Sequence, residues 1–181
     1  MVELAKIDAD TVYRRLGLAA GPTLKGMGFK GAKGGRAWSR SESYGALLLD
    51  FESDRSGQMP WGGQFTLNLI RLGKRGLHLS SGRFWEDGLE LRPPGLSSAE
   101  HLAQLERDQA EFLRMQNSIL EKLPPSYEQD TLDFYQPVLD VGPDPWMRYA
   151  LEADLDAWWG QFLGPRIERI LLGFAHAGAQ D

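Results

Sequence analysis

Val12, Leu16, Ala20 and Leu24 recur every four positions, a spacing that lines one face of an α-helix and predicts one from about Asp10 to Met27. Asp8 or Asp10 can cap its start, because a side-chain oxygen accepts bonds from the unpaired amides of the first turn. Gly21-Pro22 breaks the pattern and is expected to kink or split the helix, and Gly26 or Gly28 supplies the backbone freedom that helix ends use. The period then drops to two. "RAWSRS" (36–41), "YGALLLDFESD" (44–54) and "GQFTLNLIR" (63–71) predict strands, and "GLHLSS" (76–81) a fourth, with Leu77 and Leu79 facing inward. Leu47, Leu49 and Phe51 share one face of the second strand, and Phe65, Leu67 and Leu69 one face of the third. An antiparallel register that sets Phe51 against Phe65 also sets Leu49 against Leu67 and Leu47 against Leu69, as in a meander.

Helical periodicity returns in "SSAEHLAQLERDQAEFLRMQNSILEKL" (97–123), capped by Ser97 or Ser98 and stopped by Pro124-Pro125. Leu102, Leu105, Phe112, Ile119 and Leu123 form its apolar seam, which Gln109 and Gln116 interrupt. Residues 126–144 carry no clear period. A last helix runs from about Glu152 to Phe174, with Leu155, Trp158, Phe162, Ile167, Ile170 and Phe174 on one face and a kink expected at Gly164-Pro165. The whole chain, 1–181, reads as a single α+β domain: an antiparallel meander sheet of about four or more strands with helices packed on one face.

The order of these features resembles a known bacterial family. A helix ends in "LKGMGFKG", a strand "RAWSRS" sets an aromatic before an arginine, and "FTLNL" occupies a central strand. "PWMRYALEADLDAWW" leads an aromatic strand into an acidic helix start. The chain is similar, over most of its length, to the family catalogued as domain of unknown function 4304. The resemblance implies a compact α+β domain in a bacterium; it implies no established activity and carries over no catalytic residue.

Composition narrows the function classes. A length of 181 residues, 42% hydrophobic and 25% charged, suits one globular domain. Zero cysteines exclude disulfides, thiol nucleophiles and cysteine-ligated metal sites. "MVELAKIDAD" has no apolar stretch resembling a signal peptide, and no run approaches the roughly 18 apolar residues of a membrane span, so a cytoplasmic protein without a membrane partner is expected. The net charge of -5 conceals a split: residues 1–83 carry 13 Lys and Arg against 7 Asp and Glu, and residues 84–181 carry 7 against 18. Packing of the two halves on each other would neutralise much of it.

Few residues offer chemistry. "GMGFKG" (26–31) matches the glycine spacing of dinucleotide-binding loops, but that fingerprint follows a strand and opens a helix, and here the order is reversed. A helix C-terminus repels phosphate, so no cofactor is expected there. His78, His101 and His176 lack metal-ligand spacing, and no nucleophile elbow is present. Asp50, Glu52 and Asp54 share one strand face, which favours a solvated surface over paired acid–base groups.

Cations are more informative. Residues 25–40 hold Lys25, Lys30, Lys33, Arg36 and Arg40 without an acid, and residues 71–83 add Arg71, Lys74, Arg75 and Arg83, again without one. If the meander joins these segments, they form a basic edge near Trp38 and Phe84, as nucleic-acid binders use, although the sequence pI of 5.3 opposes that use. Trp38 is expected in the core with arginines at its margin, and Trp61, in a Pro-Gly-Gly loop, is the tryptophan expected to be exposed. The candidate interaction face is therefore Lys30, Lys33, Arg36, Arg40, Trp61, Arg71, Lys74, Arg75 and Arg83. The leading expectation is a non-catalytic binding domain acting through a protein partner, of an immunity or antitoxin-like kind. A nucleic-acid-associated protein using the basic first half is the alternative, and an enzyme with an unrecognised site comes third.

Overall fold

In a computed structural model, which describes residues 7–54, 63–84, 95–122 and 146–177, the first element is helix α1, Ala9–Gly26. Asp8 caps it, its Oδ1 accepting from the Thr11 N–H at 2.7 Å, and that bond holds the Asp8 carboxyl below its ordinary 3.8. Pro22 does not split α1, which runs through it without a break. The ring removes the donor for the Leu18 carbonyl, but Leu18 is 65% exposed, so water can take that carbonyl. Gly21, on the opposite side, lets the helix approach the Trp38 indole.

Five strands follow one another across the sheet: β1 (Lys30–Gly31), β2 (Ala37–Glu42), β3 (Gly45–Ser53), β4 (Gly63–Gly73) and β5 (His78–Arg83). They lie in sequence order, each antiparallel to the next. A sixth strand, β6 (Met147–Tyr149), pairs with Gly63–Phe65 at the start of β4. This is an antiparallel, meander-like sheet with helices, an α+β fold. The register between β3 and β4 differs by two residues from the sequence expectation: Phe51 faces Leu67, Leu49 faces Leu69 and Leu47 faces Arg71. A shift of two leaves every side chain on its expected face, so the apolar pattern alone could not distinguish the two registers.

Helix α2 (Ser98–Leu120) starts in a capping box, Ser97 accepting from the Glu100 N–H while the Glu100 carboxylate accepts from the Ser97 N–H. After β6 the chain enters α3 (Glu152–Ala157), a π-helical stretch (Trp158–Leu163) and α4 (Gly164–Ala177). Asp154 organises this entry: its carboxylate accepts from the amides of Ala150 and Leu151 and pairs with Lys122 at the end of α2. At Gly164-Pro165, where a kink is expected, the helix carries a widened turn. Gly164 donates to the Trp159 carbonyl, five residues back, and the proline is accommodated without interrupting the helix. Trp158, Trp159, Phe162 and Leu163 are all buried, with Trp159 edge-on to Phe51 at 6.1 Å.

The core lies between one sheet face and these helices, joining Leu49, Phe51, Leu67 and Leu69 to Leu16, Leu24, Trp158 and Ile170. No helix among the described residues is long and apolar enough to cross a membrane. Trp61 and the unpatterned stretch 126–144 lie outside the described residues.

Candidate functional site

The glycine stretch "GMGFKG" is a helix stop. The Phe29 N–H reaches the Leu24 carbonyl at 2.9 Å and the Gly28 N–H reaches the Lys25 carbonyl at 3.0 Å, the paired bonds of a Schellman motif. Gly28 takes the left-handed position that closes the motif (φ 86°), where a side chain would be strained. Phe29 turns into the core at 2% exposure, and the Arg40 guanidinium lies 4.8 Å from its ring centre. Arg40 also donates to the Met27 carbonyl at 3.2 Å and pairs with Glu42 at 2.6 Å. The helix end thus holds a cation, as its dipole favours.

A cleft of about 550 Å³ opens where β3 ends and β4 begins, lined by Tyr13, Arg36, Glu52, Asp54, Gln64 and Trp146. The strand pattern places Asp50 and Glu52 on the face away from the helices, where both are partly exposed. Arg36 grips Asp50 through two bonds (2.9 and 3.2 Å), and its guanidinium lies 5.4 Å from the Tyr13 ring centre. Glu52 accepts from Asn68 at 2.8 Å and from Arg83 at 3.2 Å, and Arg83 lies over Trp146. Asp54 accepts from Gln64 at 2.8 Å. Beneath, the buried Tyr13 hydroxyl accepts the Ser53 N–H at 3.2 Å, tying α1 to β3.

These partners set the electrostatics. The Asn68 bond, aided by Arg83, holds the Glu52 carboxyl below its ordinary 4.5, and the bond to Asp50 raises the Arg36 guanidinium. Both groups are driven away from neutrality, the opposite of what a general acid or base needs. Burial raises the Tyr149 phenol as well. Among the described residues, no three His, Asp or Glu side chains gather as a metal site.

The basic residues picked out from the sequence do not assemble into one edge. β2 and β5 are separated by β3 and β4, a span of about 14 Å at normal strand spacing. Arg36 and Arg83 lie at the cleft end of the sheet, each paired with an acid. Arg40 is engaged as described, and Arg71 stacks over Tyr44 at 4.8 Å. Lys30 in β1 and Lys33 in the turn after it are exposed. Lys74 and Arg75 are exposed at the far end, in a one-turn 3₁₀ helix (Lys74–Gly76) that joins β4 to β5. Trp38 and Phe84 are buried, at 5% and 1% exposure.

One surface was missed by sequence reasoning. Leu77 and Leu79, expected to face inward, are 67% and 46% exposed. Every residue from Lys74 to Leu79 is exposed, so the tip of the β4–β5 hairpin is left uncovered on both faces of the sheet. A register shift between Arg71 and Leu72 pairs Arg71 with Ser80 and Leu72 with His78, leaving Leu79 as the extra residue of a β-bulge. Period-two alternation carries no sign of where the covering layer stops. The absence of any acid between residues 63 and 84 was the available signal that this hairpin differs from the rest of the chain.

No family model, curated protein or solved structure matches this chain, and the functional reading rests on the geometry above.

Proposed function

We propose that the protein is a non-catalytic, cytoplasmic binding domain that acts through a protein partner, with an immunity or antitoxin-like role as its most concrete form. The observation that carries this reading is the uncovered hairpin tip, where Leu77 and Leu79 stand in solvent beside Lys74 and Arg75. Large apolar side chains held out at the end of a hairpin gain nothing in the isolated chain and gain burial on association. The cleft supports the same reading, because Asp50 and Glu52 are tied to arginines and Glu52 is held ionised.

Affinity capture of the tagged full chain from its native cells tests it. A partner recovered in stoichiometric amount through repeated washing is the expected result, and repeated recovery of the chain alone overturns the reading.

The nucleic-acid alternative draws on the exposed cations Lys30, Lys33, Lys74 and Arg75. It loses its stacking platform, since Trp38 and Phe84 offer no free ring face. Fluorescence anisotropy with single- and double-stranded DNA and RNA at low salt separates the two. Binding that weakens steeply with salt would favour the alternative, and no binding removes it.

A further inference from the structure

We infer that the hairpin tip is an anchor that enters an apolar pocket rimmed by carboxylates on the partner, a proposal that rests on the protein-partner reading above. Three features of the tip point the same way.

The first is the contrast between the two edges of the sheet that the described residues form. β1 blunts its edge by being two residues long with an exposed lysine, a common protection against unwanted pairing. β5 has six residues, and two leucines stand exposed at its start, Leu77 just before it and Leu79 within it. One end of the sheet is closed to association and the other is left sticky.

The second is the bulge at Leu79. An extra residue in an edge strand breaks the regular ladder that a partner strand would need. The leucines are therefore presented as side chains to be received in a pocket, and strand addition is disfavoured at this position.

The third is charge. The stretch 63–84 contains Arg71, Lys74, Arg75 and Arg83 and no acid. Arg71 is stacked on Tyr44 and Arg83 is paired with Glu52, both directed back into the fold. Lys74 and Arg75 sit exposed side by side in the turn, three and two residues before Leu77. An apolar centre with a basic margin selects a partner surface with an apolar floor and an acidic rim. Two leucines and two cations bury too little chain to hold the protein on a lipid bilayer, where even a myristoyl group binds only marginally.

The test uses the full chain and the partner recovered with it, purified, in an affinity titration. Leu77→Ala with Leu79→Ala should weaken binding by about tenfold or more, since anchors at the centre of an interface dominate its energy. Lys74→Glu with Arg75→Glu should slow association and remove most of its salt dependence. Both double variants should unfold as the wild type does, because the four side chains are exposed. As a second readout, p-benzoylphenylalanine in place of Leu79 should cross-link to that same partner on illumination, at residues next to Asp or Glu. If the wild type binds its partner and both double variants bind equally well, the anchor proposal fails and the protein-partner reading stands. If the wild type has no partner, both fail. Loss of binding to phosphatidylserine vesicles in the double variants, or of self-association in sedimentation, would overturn the proposal in favour of a lipid surface or a second copy.

Discussion

Replacing Asp108 with alanine should remove about 3 kcal/mol of folding stability. Pro165 has no N–H to offer the Gln161 carbonyl, four residues before it, and the π-helical turn shifts the neighbouring bonds. Arg166 takes over this gap, donating to the Gln161 and Phe162 carbonyls at 3.3 and 3.1 Å while lying 4.3 Å from the Phe162 ring centre. Asp108, on α2 and fully buried, holds Arg166 at 2.8 Å and Arg169 at 2.6 Å, so one carboxylate locks α2 to α4 and steadies the proline site. Removing one partner of a buried ion pair costs about 3–5 kcal/mol. The two arginines keep 15% and 20% exposure and can regain some water, which places this case near the lower limit.

For a chain of this size the loss corresponds to a melting temperature lower by about 6–12 °C. Urea unfolding followed by tryptophan fluorescence at neutral pH measures it directly. The pH dependence adds a second condition. Burial alone would raise the Asp108 carboxyl, but the bonds from Arg169 and Arg166 exceed that effect and hold it below 3.8. A group lowered by folding contributes stability that is complete above its unfolded pKa and is lost as pH falls through the folded one. The gap between wild type and Asp108→Ala should therefore be constant from neutral pH down to about 5 and close below 3.8. A gap under about 1 kcal/mol at neutral pH, or one that widens in acid, would refute the reasoning.

Other substitutions probe separate joints. Gly17→Val should cost about 2–3 kcal/mol in the same urea assay, because a Cβ at Gly17 would stand 2.5 Å from the Gly35 Cα, whereas Gly26→Ala, with nothing within 4 Å, should be neutral or stabilising. Gly28→Ala should lower stability by about 1 kcal/mol, since alanine resists the left-handed conformation at φ 86°. Tyr13→Phe should lower it by about 1–2 kcal/mol, and hydrogen exchange at the Ser53 amide should speed up, because that buried N–H loses its acceptor.

Much of this architecture was legible along the chain because local rules suffice for it. Helix starts at Asp8 and Ser97 follow from oxygen-bearing side chains that satisfy free amides, and the helix stop at Gly28 from the conformational freedom of glycine. Alternation correctly assigned Leu47, Leu49, Phe51, Phe65, Leu67 and Leu69 to the core face. It could not choose between registers two residues apart, because the side-chain period is two. That choice belongs to contacts distant in sequence: the Tyr13 hydroxyl on the Ser53 amide and β6 against Gly63–Phe65. The π-helical turn was foreshadowed by Gly164-Pro165, but the Asp108 carboxylate that supports it comes from another helix.

For the candidate surfaces the division is sharper. The sequence by itself determined the charge of each segment, including the acid-free stretch from 63 to 84. Which cations are free was decided only by the tertiary structure, because ion pairing depends on neighbours that strands bring in from elsewhere: Asp50 claims Arg36, and Glu52 claims Arg83. The exposure of Leu77 and Leu79 was decided there too. Periodicity states which side chains share a face of a strand; only the packed layers determine how far along the strand that face is covered.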